Sequence, residues 1–127
     1  MIRLVCIPLL ALASCASAAP TAEDLVPDYL GVTASPLDRE LVQVVASMTK
    51  ALEPSDVTRY ADCAAARYTL ERGYGFARHL RTNISQEAGV WTADAVYTIS
   101  PALPRGQATI DAEVVAADCA ENRIPSV

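Results

Sequence analysis

The amino-acid sequence predicts a small α+β domain: a mainly antiparallel, three-stranded sheet with two helices on one face, ordered β-α-β-β-α and stapled by one disulfide. Three observations lead there. Residues 90–100 alternate so that Trp91, Ala93, Ala95, Tyr97 and Ile99 share one face of a strand. Residues 55–72 put Val57, Tyr60, Ala61, Ala64 and Tyr68 on one stripe at helical spacing. Cys63 and Cys119 are the two cysteines left once the amino-terminal segment is set aside.

That segment has the order of an export signal. Arg3 supplies a basic start, residues 4–12 are a compact apolar run, and small residues lead into Pro20. The run is too short to span a bilayer, which takes about 20 apolar residues. Leu12-Ala13-Ser14-Cys15 resembles the lipobox of bacterial lipoproteins, in which the cysteine thiol takes a diacylglyceryl group and becomes the new amino terminus. The resemblance implies a signal over residues 1–14 and acylation of Cys15. With Ala16 rather than Asp in the next position, it also implies an outer-membrane address facing the periplasm. Two or three acyl chains anchor stably where one is marginal. Cleavage after Ala16-Ser17-Ala18, giving a soluble periplasmic or secreted protein, is the alternative that these small residues leave open.

Residues 15–40 hold Pro20, Pro27, Gly31 and Pro36 among small and acidic side chains, and read as anchor cysteine, tether and irregular lead-in. The globular domain is therefore expected over residues 41–127. Residues 37–52 fit two patterns. Leu37, Leu41, Val44, Val45, Met48 and Leu52 keep helical spacing, while Val42, Val44, Ala46 and Met48 alternate as a strand would. The β-branched enrichment of residues 42–49 selects the strand.

The helix over residues 55–72 follows Pro54, with Ser55 or Asp56 to cap its first turn and Gly73 at a left-handed C-cap position. Residues 76–82 alternate weakly and read as a strand. The polar residues 83–89 read as a hairpin loop leading into residues 90–100, which Pro101, Pro104 and Gly106 end. Residues 111–121 read as the last helix, capped by Asp111, with Cys119 near its end.

Composition narrows the function classes. The chain has 127 residues, 10 basic and 15 acidic side chains, and a formal net charge of −5. Such a surface repels nucleic acid and anionic headgroups, and no basic cluster offers a nucleic-acid footprint. Two cysteines in an oxidising compartment most simply form a disulfide, Cys63–Cys119, worth roughly 4 kcal/mol in the chain-entropy model. A zinc site needs about four ligands, and the chain holds one histidine. No metal or cofactor is expected.

Three stretches extend the resemblance. They are Cys63-Ala64-Ala65-Ala66-Arg67-Tyr68-Thr69-Leu70, Arg72-Gly73-Tyr74-Gly75-Phe76-Ala77-Arg78-His79 and Ala95-Val96-Tyr97-Thr98-Ile99-Ser100. Over residues 41–127 the chain is similar to small envelope lipoproteins of α-proteobacteria with no assigned activity. This implies export, lipidation and a small α+β domain, and it tips residues 42–49 toward strand. It supplies no catalytic residues to carry over.

Few side chains point to chemistry. Gly73-Tyr74-Gly75 follows a helix, and no Gly-Lys-Ser/Thr follows it, so a C-cap explains it better than a phosphate loop. Ser47, Ser55, Ser85 and Ser100 are nucleophiles by type, yet none sits in a Gly-x-Ser-x-Gly elbow beside the lone His79. Glu113 and Asp118 read as a solvated helix face. The one suggestive surface is Arg78, His79 and Arg81 with Trp91, enough donors beside an aromatic to hold a carboxylate, phosphate or sugar.

The expectation is therefore an exported lipoprotein domain joined to the membrane through Cys15. It would be a non-enzymatic interaction, assembly or inhibitor module with an envelope protein as partner. A small-ligand binder using the Arg78/His79/Trp91 face is the alternative, and a hydrolase centred on His79 the third reading.

Overall fold

A computed structural model describes residues 26–106 and 108–126. The export signal, Cys15 and the first part of the expected tether lie outside the described residues. The elements are β1 (Asp28–Asp38), β2 (Leu41–Thr49), α1 (Pro54–Glu71), β3 (Phe76–Glu87), β4 (Val90–Ser100), β5 (Thr109–Asp111) and α2 (Ala112–Glu121). The strands form one antiparallel sheet in the order β1-β2-β4-β3-β5, curled into a half-barrel.

This corrects the expected three-stranded fold with two helices on one sheet face. The sheet has five strands and dominates the domain. Asp28–Asp38, read as irregular lead-in, is an eleven-residue edge strand. Its register shifts at Leu30 and again at Leu37, which breaks the alternation a sequence pattern would show. Pro36 is tolerated there because an edge strand has one side with no ladder to complete.

Residues 83–87, read as loop, continue β3, and the hairpin closes on Ala88 and Gly89 with φ of 50° and 80°. Two consecutive positive φ values make the tight turn that suits strand twist, and Gly89 supplies one without strain. This end of β3 is exposed, so no buried side chain marks it as strand. β5 is three residues long, too short for any periodicity.

The strand chosen for residues 42–49 is β2. Val42, Val44, Ala46 and Met48 face the core with no exposure, paired in turn with Tyr97, Ala95, Ala93 and Trp91 of β4. Helix α1 lies across this face through Val57, Tyr60, Ala61 and Ala64. So many alanines on both surfaces let helix and sheet approach closely.

Asp56 caps α1 by accepting the amides of Leu52 at 2.8 Å and Glu53 at 3.2 Å. Gly73, at φ 78°, ends the helix: its N–H donates to Leu70 O and that of Tyr74 to Thr69 O, a Schellman pair. Helix α2 is capped by Asp111, whose carboxylate accepts from Val114 N. It packs mainly on α1, not on the sheet.

Cys63 of α1 and Cys119 of α2 form the disulfide, with Cα atoms 5.9 Å apart and both residues buried. Arg59 adds an exposed ion pair to Asp118 at 2.8 Å on the same helix–helix seam. Because α2 reaches the core chiefly through α1, the covalent link carries much of its attachment. The Cys63→Ala/Cys119→Ala double variant should lose about 4 kcal/mol in the chain-entropy account. Urea unfolding of the oxidised protein beside the variant measures it, and an unchanged midpoint would contradict it.

Candidate functional site

The four residues expected to form one binding face do not share one. Paired residues of neighbouring strands project to the same side, and His79 pairs with Tyr97 on the side that faces α1. Arg78 pairs with Thr98 on the opposite, open side. Leu80 is an extra residue in β3, so the register slips and Arg81 pairs with Val96, also on the open side. There its guanidinium lies 3.6 Å from Asp94 Oδ1, which also accepts from Gln43 Nε2 at 3.0 Å. Trp91 is on the α1 side but six residues along β4 from Tyr97, or about 20 Å at strand rise. The arginines and the histidine are therefore separated by the thickness of the sheet.

The same bulge builds a different cluster. In a regular strand the side chains of residues 79 and 82 would project oppositely. With Leu80 inserted, Thr82 joins His79 on the α1 side, and Thr82 Oγ1 and His79 Nε2 lie 2.5 Å apart. The imidazole stacks edge-on against Tyr97, with centroids 5.4 Å apart. The Tyr97 hydroxyl donates to Asp62 Oδ1 of α1 at 2.6 Å. A chain of four polar side chains thus crosses from helix to sheet inside a mostly apolar core.

Electrostatics follow from that placement. Burial pushes the Asp62 carboxyl above its usual range, while the Tyr97 hydrogen bond and the nearby His79 pull it back in part. Burial, reinforced by the Asp62 carboxylate, drives the Tyr97 phenol far up, so it stays a donor. No hydrogen bond joins Asp62 to His79 among the described residues. The imidazole has its hydroxyl neighbour in Thr82.

Asp62, His79 and Thr58 open onto a recess of about 240 Å³ walled by Ala108, Thr109 and Ile110. The His79 amide donates to Ala108 O at 3.0 Å, and Ala108 has a φ of 60°. Thr109 pairs with Arg78, which sets its side chain toward the open side. A larger groove of about 420 Å³ runs beside the disulfide, with Leu70, Ala116 and Ile124 in its wall. Its one charged residue, Arg67, is paired to Glu71 at 2.8 Å. The smaller recess brings a carboxylate and an imidazole together. Among the described residues no group of three or more His, Cys, Asp or Glu is placed to hold a metal ion. None of the described helices is long and apolar enough to cross a membrane.

Comparison with known proteins places this domain. A family model, the YNQ4 C-terminal domain, matches residues 29–123, which run from β1 to just past α2. The chain belongs to the YNQ4 C-terminal domain family. An uncharacterized 26.9 kDa protein from the nqo8 5′ region of Paracoccus denitrificans is 28% identical over 86 residues. That match covers 68% of this chain and 34% of the relative, so the chain spans about a third of that protein's length. No solved structure matches it. The matched region begins within β1.

Sequence reasoning found His79 and missed Asp62, Tyr97's hydroxyl and Thr82. The available signal was Asp62 itself, an acid set among Tyr60, Ala61, Cys63 and Ala64, with Thr58 four residues before it on the same flank.

Two changes test the cluster. Tyr97→Phe removes the phenol's donation and should cost about 1–3 kcal/mol. It should also raise the Asp62 pKa further, and urea unfolding together with the Asp62 carboxyl ¹³C titration reads both. Asp62→Asn keeps an acceptor for Tyr97 and removes a titration. Since the folded-state pKa is raised, the unfolded chain releases its proton first, and Asp62 subtracts stability as pH rises from about 3.9 through its folded value. Asp62→Asn should therefore gain on the wild type across that window, read from urea midpoints at successive pH values.

Proposed function

We propose that this chain is an exported, lipid-anchored module of a bacterial envelope that works by binding, with the recess beside His79 as its binding point. The address is supported by the residues that resemble a lipobox, Leu12-Ala13-Ser14-Cys15 after a short apolar run. A buried disulfide suits the same oxidising compartment. The resemblance to α-proteobacterial envelope lipoproteins belongs to this proposal as well.

One observation carries the binding reading. In the recess a carboxylate and an imidazole stand near one another, each held by a separate hydroxyl group: Asp62 by Tyr97, His79 by Thr82. The groups are fixed and partly open, as recognition requires, and they are not linked as a proton relay. The matched region is about a third of the Paracoccus relative, which supports a module serving beside other parts of a protein. Through such a module an envelope protein or a small molecule would be held near the membrane.

Two measurements test the proposal. In cells making the full chain, Cys15→Ala should move the protein from the membrane to the soluble fraction. Unchanged membrane fractionation would end the anchor reading. His79 is the single histidine, so its imidazole NMR signals report on the recess alone. Amines, sugars and carboxylates of modest size should include one class that shifts them saturably. Signals that stay put throughout would remove the recess as the binding point.

A further inference from the structure

We propose that the recess takes the ammonium end of a small primary amine, with Asp62 as its counter-ion. The inference rests on the recess being the binding point and adds the chemical class it selects. The argument begins with what the recess offers. Asp62 gives one oxygen to Tyr97; its second, Oδ2, has no hydrogen-bond partner among the described residues and is not sealed from solvent. Thr58 donates its own hydroxyl proton to Pro54 O at 3.3 Å, which leaves that oxygen as an acceptor. The Ala108 carbonyl accepts from His79 N and keeps a second lone pair.

These are acceptors, and an ammonium presents three donors and nothing else. The walls at Ala108 and Ile110 are apolar and suit an alkyl stem. A volume of about 240 Å³ is below the range of roughly 300–1,000 Å³ that holds drug-sized molecules, so the guest is small.

Charge separates the classes. The ion-paired acids have their own cations: Asp118 faces Arg59, Glu71 faces Arg67, Asp94 faces Arg81 and Asp28 faces Lys50. Asp62 has a phenol and, nearby, an imidazole, but no lysine or arginine among the described residues. A carboxylate withdrawn from water without a full counter-charge is costly, and a bound cation supplies that charge. An anionic guest would meet Asp62, while the arginines that would welcome it stand on the far side of the sheet. A neutral alcohol would leave the charge uncompensated.

The test uses three molecules of matched shape: butylammonium, butanol and butyrate, added to the full chain. His79 imidazole shifts and calorimetry are the readouts. Butylammonium should shift the His79 signals saturably, and the other two should not at the same concentration. Asp62→Asn, which keeps the Tyr97 acceptor, should weaken butylammonium binding about tenfold or more. Thr58→Val, at a half-buried position on the helix flank, should weaken it by less and serves if Asp62→Asn folds poorly. Equal binding of butanol or butyrate, or an Asp62→Asn variant as tight as the wild type, overturns the ammonium assignment and leaves the recess standing. Silence from all three molecules removes the assignment, and silence from sugars and other carboxylates as well removes the binding point with it.

Discussion

Helix α1 sits in the curl of a five-stranded sheet, and every other feature is arranged around that contact. Ala61, Ala64 and Ala65 on the helix meet Ala46, Ala93 and Ala95 on β2 and β4, all of them buried. Small side chains on both surfaces bring the backbones close, so little tolerance exists for sliding or for added volume. The larger core members, Tyr60, Tyr97, Met48 and Ile99, fill the space around this contact. Tyr60 reaches the edge strand through Tyr29, with ring centroids 4.8 Å apart. The edge strand is thereby fastened to the helix as well as to β2, despite its two bulges.

The polar chain from Asp62 to Thr82 runs through this same contact. An apolar residue at position 62 would avoid the penalty of burying a carboxylate, and Tyr97 would then lose its acceptor. The pair persists as a unit, costly to break at either end. Asp62 and Cys63 are adjacent, so their side chains leave α1 about 100° apart. One faces β4 and the other faces α2. The helix is held by a charged hydrogen bond on one flank and by a covalent bond on the next.

Legibility divided along lines of local regularity. β4 and α1 were readable because each buries one full face, so their periods of two and 3.6 survive in the sequence. β2 was readable as strand only through its β-branched residues, since Val45 on the open side also fits a helical stripe. β1 was lost because Gly31 and Pro36 resemble linker composition and the shifts at Leu30 and Leu37 scramble the alternation. The far half of β3 was lost because both of its faces meet water there. The disulfide was readable by counting, once the amino-terminal cysteines were assigned to the signal and the anchor.

The four residues grouped as one face were scattered for a sharper reason. Grouping Arg78, His79, Arg81 and Trp91 assumed that nearness along adjacent strands makes a common surface. One residue, Leu80, decides otherwise: it sends Arg81 to the open side with Arg78 and brings Thr82 under the helix with His79. A bulge reverses the facing of everything after it, and no propensity in Arg78-His79-Leu80-Arg81-Thr82 announces it. Its consequence is chemical. Arg78 already faces away from His79 by simple alternation, the bulge removes Arg81 as well, and the histidine is left beside a carboxylate in an acceptor-rich recess. Which side of the sheet Arg81 and Thr82 join thus depends on a single inserted residue in β3, not on which charged residues the chain contains.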